Sequence, residues 1–347
     1  MSLKKLLALG LVLLMAITMF AGCAPAAEEP AEEEPAVEEP SEEEPVQAAL
    51  LTSGPINDGG WNTQAYEGLL LIEDKYGMEV SYTENVKQDD QVTILRDYAR
   101  KGFDYVIGHG FEYGDALITV AAEFPDVKFV QVGGFAGGEQ FNLSSGVFRT
   151  GELGYILAVL AGELTEANHI GFVGAMEIPT LVDEVISIQK TIESMYPGVR
   201  VDVAYTGSWT DIAAGKEAAK AMISAGADVL IGIGDACDAG AIQACEEQEG
   251  VWFIGWSGDM NLLSPEIVAT SGVQDVSFLI GDMVGKFMDG EEGTANVYGI
   301  PEGAQPLGTW APGVPAEAKA KTIAEWEKFA SGEYTLEIVA EMIGKDM

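Results

Sequence analysis

Four aromatic residues, Trp61, Phe111, Trp209 and Trp256, each fall just after an apolar run that reads as a buried strand. A flat heteroaromatic ring is held best between two aromatic faces, with a carboxylate or amide at its edge to read donors and acceptors. Each base–aromatic stack is worth roughly 1 to 3 kcal/mol. For that edge the chain offers Asp58, Asn62, Asp115, Asp235 and Asp259, with Asn57 beside the first of them. Glu112 and Glu177 border the same loops, and Met176 precedes Glu177. Plainer roles are open to all of them: a strand-end aromatic can pack in the core or at a hinge, and an aspartate there can cap a helix. Trp252, inside the run VWFIGW, reads as core packing, as do Trp310 and Trp326.

Other chemistries find less support. Gly108 to Gly114 (GHGFEYG) approximates a dinucleotide loop, but its third glycine comes one place late. It reads instead as a loop whose backbone can approach a small ligand closely. No Walker A sequence occurs, and His109 has no partner in the sequence that would make it a general base. His109 and His169 have no Cys/His spacing of the zinc type. Cys237 and Cys245 lie eight apart on one expected helix, so about 12 Å of rise keeps them from pairing and they read as small buried residues. The expectation is a binding protein and not an enzyme, with no cofactor and no metal.

The elements that position these residues alternate regularly. AALLTSG, MEVSYTEN, FDYVIGHG and VKFVQVGG read as strands separated by amphipathic helices, and the pattern restarts at GELGYILAVLAGEL. HIGFVGA, RVDVAYTG, ADVLIGIG and VWFIGWSG are the strands of the second run. The last part adds the strand EIVATSGVQ, the helix VSFLIGDMVGKFMDG and the helix PAEAKAKTIAEWEKFASG, which complete the two units by crossing between them. Two successive βα units of this kind predict an α/β protein of two Rossmann-like lobes, each built on a parallel sheet, around a central ligand cleft.

Ahead of these lobes stands a different composition. Lys4 and Lys5 precede the apolar run Leu6 to Phe20, which is short for a membrane span and reads as an export signal. Phe20-Ala21-Gly22-Cys23 resembles the lipobox of bacterial lipoproteins, with Phe20 where Leu is usual, and implies cleavage before Cys23 and lipidation of its sulfur. Two acyl chains would anchor the protein firmly, where one binds only marginally. From Ala24 to Ala49 the chain carries ten glutamates, no aromatic residue and only two valines, the composition of an extended acidic tether. The whole chain has a formal charge of -38, and about -28 remains without those glutamates. That excess argues against nucleic acid as a partner, because phosphate contacts need Lys and Arg.

Three segments together resemble the basic membrane protein (BMP), PnrA-like group of substrate-binding lipoproteins. These are Ile56 to Gly68 (INDGGWNTQAYEG), Gly108 to Phe129 with Asp115-Ala116 and FPDVKF in register, and Ser144 to Gly162 with Phe148-Arg149. Gly207-Ser208-Trp209 and Trp256 to Met260 (WSGDM) are similar to a subgroup pattern of that family. The resemblance implies the type I periplasmic-binding-protein fold and a purine nucleoside or purine base as ligand, held in the interlobe cleft by Asn57, Asp58, Trp61, Asn62, Phe111, Glu112, Met176, Trp209, Asp235, Trp256 and Asp259. It further implies an ABC permease and ATPase as partners, a monomer, and residence on the extracytoplasmic face of the cell membrane. Gln274 stands where nucleoside-binding members often carry a lysine facing the ribose, which favours a base or another flat molecule. The expected boundaries are 1–22 for the signal, 23–48 for the lipidated cysteine and tether, 49–147 plus 272–295 for one lobe, and 148–271 plus 296–347 for the other. An extracytoplasmic nucleoside-acting enzyme and a sensory receptor for a signalling partner are the alternatives.

Overall fold

The computed structural model describes residues 45–57 and 60–343; the expected signal, Cys23, the tether as far as Glu44 and Asp58 lie outside them. The first sheet contains β1 (Gln47–Thr52), β2 (Glu79–Thr83), β3 (Tyr105–His109), β4 (Lys128–Val132), β5 (Leu143–Phe148) and β11 (Ala295–Tyr298). Its order is β11-β5-β4-β3-β1-β2, and every neighbouring pair is parallel. The second contains β6 (His169–Gly174), β7 (Arg200–Tyr205), β8 (Val229–Ile233), β9 (Trp252–Ser257) and β10 (Val268–Val273), all parallel in the order β10-β9-β8-β6-β7. Ten helices accompany them among the described residues. They are α1 (Trp61–Tyr76), α2 (Gln91–Arg100), α3 (Gly114–Glu123), α4 (Glu152–Leu164), α5 (Pro179–Met195), α6 (Ile212–Ser224), α7 (Ala236–Glu246), α8 (Val276–Met288), α9 (Ala316–Ala330) and α10 (Leu336–Ile343).

The sequence dictates this layering. In β1, Ala48 and Leu50 join the core under α1 and α8, while Ala49 and Leu51 join the core under α2 and α3. A strand buried on both faces needs such a continuous apolar run. In the second lobe Ile170 and Phe172 pack against α4 and α5 on one face, and Val173 and Leu230 against α6 and α7 on the other. With helices covering both faces of each sheet, the ends of the strands are left to carry binding loops.

The expected boundaries fall inside elements. The tether end at 48 lies within β1, the boundary at 271/272 cuts β10, and that at 295/296 cuts β11, which pairs with β5 in the first sheet. The strands β5 and β11 and the helix α10 were absent from the sequence reading. β5 is LSSGVF, whose buried Ser144 and Ser145 give no hydrophobic alternation. Their polar groups are met from β11 and the residue before it: Ser144 Oγ donates to Thr294 O at 3.1 Å, and Asn296 Nδ2 donates to Ser145 O at 3.0 Å.

The chain passes between the lobes at 149–151, 274–275 and 299–303. Arg149 fastens the first and third passages with a bidentate fork on Glu302, both N–O distances 2.9 Å, and a third contact at 3.2 Å to Glu152. Glu152 is buried and accepts from Ile300 N at 2.8 Å. Beyond the hinge, residues 304–311 run back along β10, with Gly308 N donating to Ser271 O at 2.8 Å and Ala311 N to Ala269 O at 2.9 Å, and so cover that edge of the sheet.

Beneath the first passage Glu184, fully buried on α5, accepts from Gly154 N at 2.9 Å. Burial, opposed only in part by backbone N–H groups, pushes its carboxyl up to about 8. The folded state therefore binds a proton there that the unfolded state releases near pH 4.5, and stability falls as pH rises between those values. Glu184→Gln should melt within a degree or so of the parent near pH 4.5 and a few degrees higher at pH 8.5. Parallel melting curves of the two proteins across that range would contradict the assignment.

Candidate functional site

The C-terminal ends of both sheets supply the loops expected to carry the site. In the first lobe the loop after β1 leads into α1, where Trp61 is half-buried. Its indole rests on the imidazole of His109 at the end of β3, with ring centroids 4.5 Å apart and planes at 34°. Phe148 meets it edge-on at 6.4 Å. A Cβ on Gly133 would stand 3.1 Å from Trp61 Cζ2 and 3.9 Å from Phe111 N, so Trp61, the Phe111 loop and the turn after β4 are contiguous. Asn62 folds back on the β1 loop, its Nδ2 2.7 Å from where a Cβ on Gly54 would be. Asn57 is exposed.

Phe111 is 78% exposed on the short 3-10 turn after β3, and Phe135, 73% exposed, stands on the turn after β4. One buried side chain braces both turns. Gln131 Nε2 donates to Gly110 O at 3.2 Å and Phe111 O at 3.1 Å, and its Oε1 accepts from Ala136 N at 3.0 Å. Glu112 accepts from the Ser53 hydroxyl, which ties the Phe111 turn to the β1 loop.

In the second lobe Met176 is half-buried after β6, and Trp209 is half-buried in the loop after β7, against the core under α4 and α5. The start of α7 clamps that loop. Ala236 N donates to Trp209 O at 3.1 Å, and the buried Cys237 thiol lies 3.0 Å from Ser208 O and 3.1 Å from Asp211 O. Cys237 and Cys245 are both buried free thiols. α6 and α7 pack closely because a Cβ on Gly240 would collide with Ile212 O and one on Gly215 with Cys237 O.

Asp235, at the head of α7, has φ +49° and ψ −117° and makes no side-chain cap bond to its own helix. Its Oδ1 lies 3.5 Å from where a Cβ on Gly60 would be, at the head of α1, so this carboxylate reaches the opposite lobe. Behind it Asp238 is fully buried, accepts from Gly234 N at 2.9 Å, and is held protonated well above the usual carboxylate range by burial. Positive φ at non-glycine residues occurs among the described residues at Asn85, Asn168, Asp235 and Ser257, three of them just after or at the ends of β2, β8 and β9. Backbone held in such regions costs of order 1 to 3 kcal/mol and gathers where function requires it.

One expectation is corrected: Trp256 is 1% exposed, because alternation along β9 sends it with Ile254 into the core under α4 and α5, and it presents no face for stacking. Asp259, half-buried, is bonded within the fold: its Oδ2 accepts from Thr309 N at 3.0 Å and Thr309 Oγ1 at 2.6 Å, and its Oδ1 from Asn261 N at 3.4 Å. Of the remaining residues the structure brings Trp61, Asn62 and the Phe111 turn together in one lobe, and sets Asp235 against them from the other. The sequence reading missed His109 as the backing of Trp61, Gln131, Phe135 and the clamping role of Cys237. For Gln131 a signal existed, since a lone amide inside the apolar run VKFVQVGG must be buried and therefore bonded. Among the described residues no cluster of His, Cys, Asp or Glu is disposed to hold a metal ion.

Asp235→Gly tests whether the strained backbone serves the site. Glycine adopts positive φ without penalty, so the variant should melt at or about 2 °C above the parent while losing affinity for the ligand. A lower melting temperature would show that the Asp235 carboxylate contributes more to the fold than its backbone costs.

The family model for "ABC transporter substrate-binding protein PnrA-like" matches residues 45–336. The chain is 29% identical to a putative ABC transporter glucose-binding protein of Haloferax volcanii, over 83% of the chain and 73% of that protein. It is 27% identical to the ABC transporter nucleoside-binding protein BmpA of Lactococcus lactis (88% and 91% covered), and 28% identical to a purine-binding protein of Brucella abortus (72% and 71%). A solved ABC transporter solute-binding protein from Conexibacter woesei superposes with a TM-score of 0.72 at 26% identity, covering 84% of this chain and 98% of that one. The two parallel-sheet lobes are those of the type I periplasmic-binding-protein fold, and the chain belongs to the PnrA-like family of ABC transporter substrate-binding proteins.

Proposed function

We propose that this chain is the lipid-anchored, extracytoplasmic receptor of an ABC importer, and that it closes its lobes on a purine base or nucleoside stacked between aromatic residues. The observation that carries this reading is the indole of Trp61, backed by His109 at 4.5 Å and left half-exposed at the head of α1 in the first lobe. Trp209, fixed through its backbone to α7, is the matching face from the second lobe. Phe111, 78% exposed, adds a third ring at the rim, and Asn62 and Asp235 read the edge of the ligand. The nucleoside-binding and purine-binding names of two relatives support the ligand class.

Closure follows from mass action. A ligand touching only one wall binds the open and closed forms alike and shifts nothing; one bridging Trp61 and Trp209 binds the closed form better and draws the population there. Anchoring would rest on Cys23, and among the described residues no helix is long and apolar enough to cross a membrane. A separate ATPase would drive transport.

Thermal-shift screening of the chain without residues 1–23 against nucleobases, nucleosides, sugars and amino acids tests the ligand class. At least one purine should raise the melting temperature, and a response to sugars or amino acids alone would overturn the reading. Trp209→Ala should weaken the best purine by roughly tenfold or more with the fold intact, since one stack contributes about 1 to 3 kcal/mol. Trp256→Ala should act differently, lowering stability by about 3 to 5 kcal/mol through the cavity it leaves in the core.

A further inference from the structure

Resting on that reading, we infer that Asp238, a buried carboxyl that no ligand can reach, is a positioning residue of the site: it holds the turn that directs the Asp235 carboxylate away from its own helix and toward the opposite lobe. An aspartate at the start of a helix ordinarily turns its side chain back and accepts from an N–H two or three places on. The first turn of α7 is arranged so that Asp235 is not needed there. Ala236 N donates to Trp209 O at 3.1 Å, Cys237 N to Gly234 O at 3.0 Å and Asp238 N to Asp235 O at 3.1 Å, so three N–H groups of that turn already have acceptors.

Asp238 holds the turn from behind. Its Oδ2 accepts at 2.9 Å from the N–H of Gly234, the residue immediately before Asp235. β8 and the residue after it make room for this carboxyl. Its Oδ1 lies 2.5 Å from where a Cβ on Gly232 would be and 2.8 Å from one on Gly234, so a side chain at either place would push Asp238 off the strand. Asp238 is 0% exposed, and Oδ1 meets no hydrogen-bond partner among the described residues. A buried polar atom left unmet lowers stability, and here it stands directly behind a residue at φ +49° that lowers it again. Two such costs side by side are explained by the outward-facing carboxylate they maintain. Without Asp238, Gly234 N loses its acceptor and the ordinary arrangement is favoured: the Asp235 backbone returns to negative φ, and its carboxylate caps α7 and leaves the opposite lobe.

Calorimetric titration of the purified chain and its variants with adenine, guanine, hypoxanthine and their nucleosides tests this. Asp238→Ala should weaken the tightest-binding of these purines roughly tenfold, as should Asp235→Gly. The double variant should bind within about twofold of Asp235→Gly alone, because no carboxylate is left to misplace. Losses that multiply would make Asp238 a stabilising group unconnected with Asp235, which overturns the inference and leaves the purine reading in place; Asp235→Gly binding like the parent would do the same. Silence of the parent toward every one of these purines would overturn that reading and this inference with it. A ligand-free crystal structure of Asp238→Ala should show the Asp235 carboxylate turned back onto α7, and an unmoved Asp235 would contradict the inference whatever the chain binds. Burial holds Asp238 protonated, so asparagine matches both its shape and its acceptor. Asp238→Asn should therefore bind within about twofold of the parent and melt within about 2 °C of it. A roughly tenfold loss of affinity in the asparagine variant would overturn the inference even where the alanine variant does not fold.

Discussion

The fork of Arg149 on Glu302, with Glu152 buried beside it, is the interaction on which the rest of the molecule depends. It joins the passage that leaves the first lobe at Phe148 to the one that leaves it again at Tyr298, so the two run as one hinge. Gln305 extends the tie, its Nε2 donating to Arg149 O at 3.1 Å while its own carbonyl accepts from Trp326 Nε1 at 3.0 Å on α9. In the proposed closure each lobe moves as a body. Such a closure would bring the strand-end loops of the two lobes together while their internal geometry stays fixed.

Each wall is stiffened close to the residues that matter. In the first lobe one buried amide, Gln131, holds two turns by their backbones and leaves the Phe111 and Phe135 rings exposed. In the second, the glycine contacts between α6 and α7 and the Cys237 thiol fix the Trp209 loop. Asp235 then carries the strain, with an unusual backbone at the head of α7 that turns its carboxylate toward α1 in place of its own helix. The proposed ring site lies between these two braced walls.

Much of the fold was legible because parallel sheets covered on both faces require unbroken apolar runs, and AALLT, YVIGH and VLIGI are such runs. What escaped was built from small polar residues. β5 and β11 are stable because Ser144, Ser145, Thr294 and Asn296 bond to one another across the strands, a pairing between segments about 150 residues apart that no local pattern records. The site was legible only in part. A tryptophan near a strand looks the same in sequence whether its ring stays half-exposed, as at Trp61 at the head of α1, or is buried, as at Trp256 within β9; for Trp256 one residue of strand register decides, and register is set by neighbouring strands. Asp235 and Asp259 likewise share a sequence context, and only the distant Thr309 distinguishes the tie from the carboxylate that reaches the other lobe.

The central claim is that one planar molecule is gripped by an indole from each lobe. A crystal structure of the chain grown with a bound purine tests it most directly. The account predicts the ring sandwiched between Trp61 and Trp209 with the lobes closed upon it. A ligand seated away from both indoles, or Trp209 still packed against the core beneath it with the ring touching only one lobe, would contradict it.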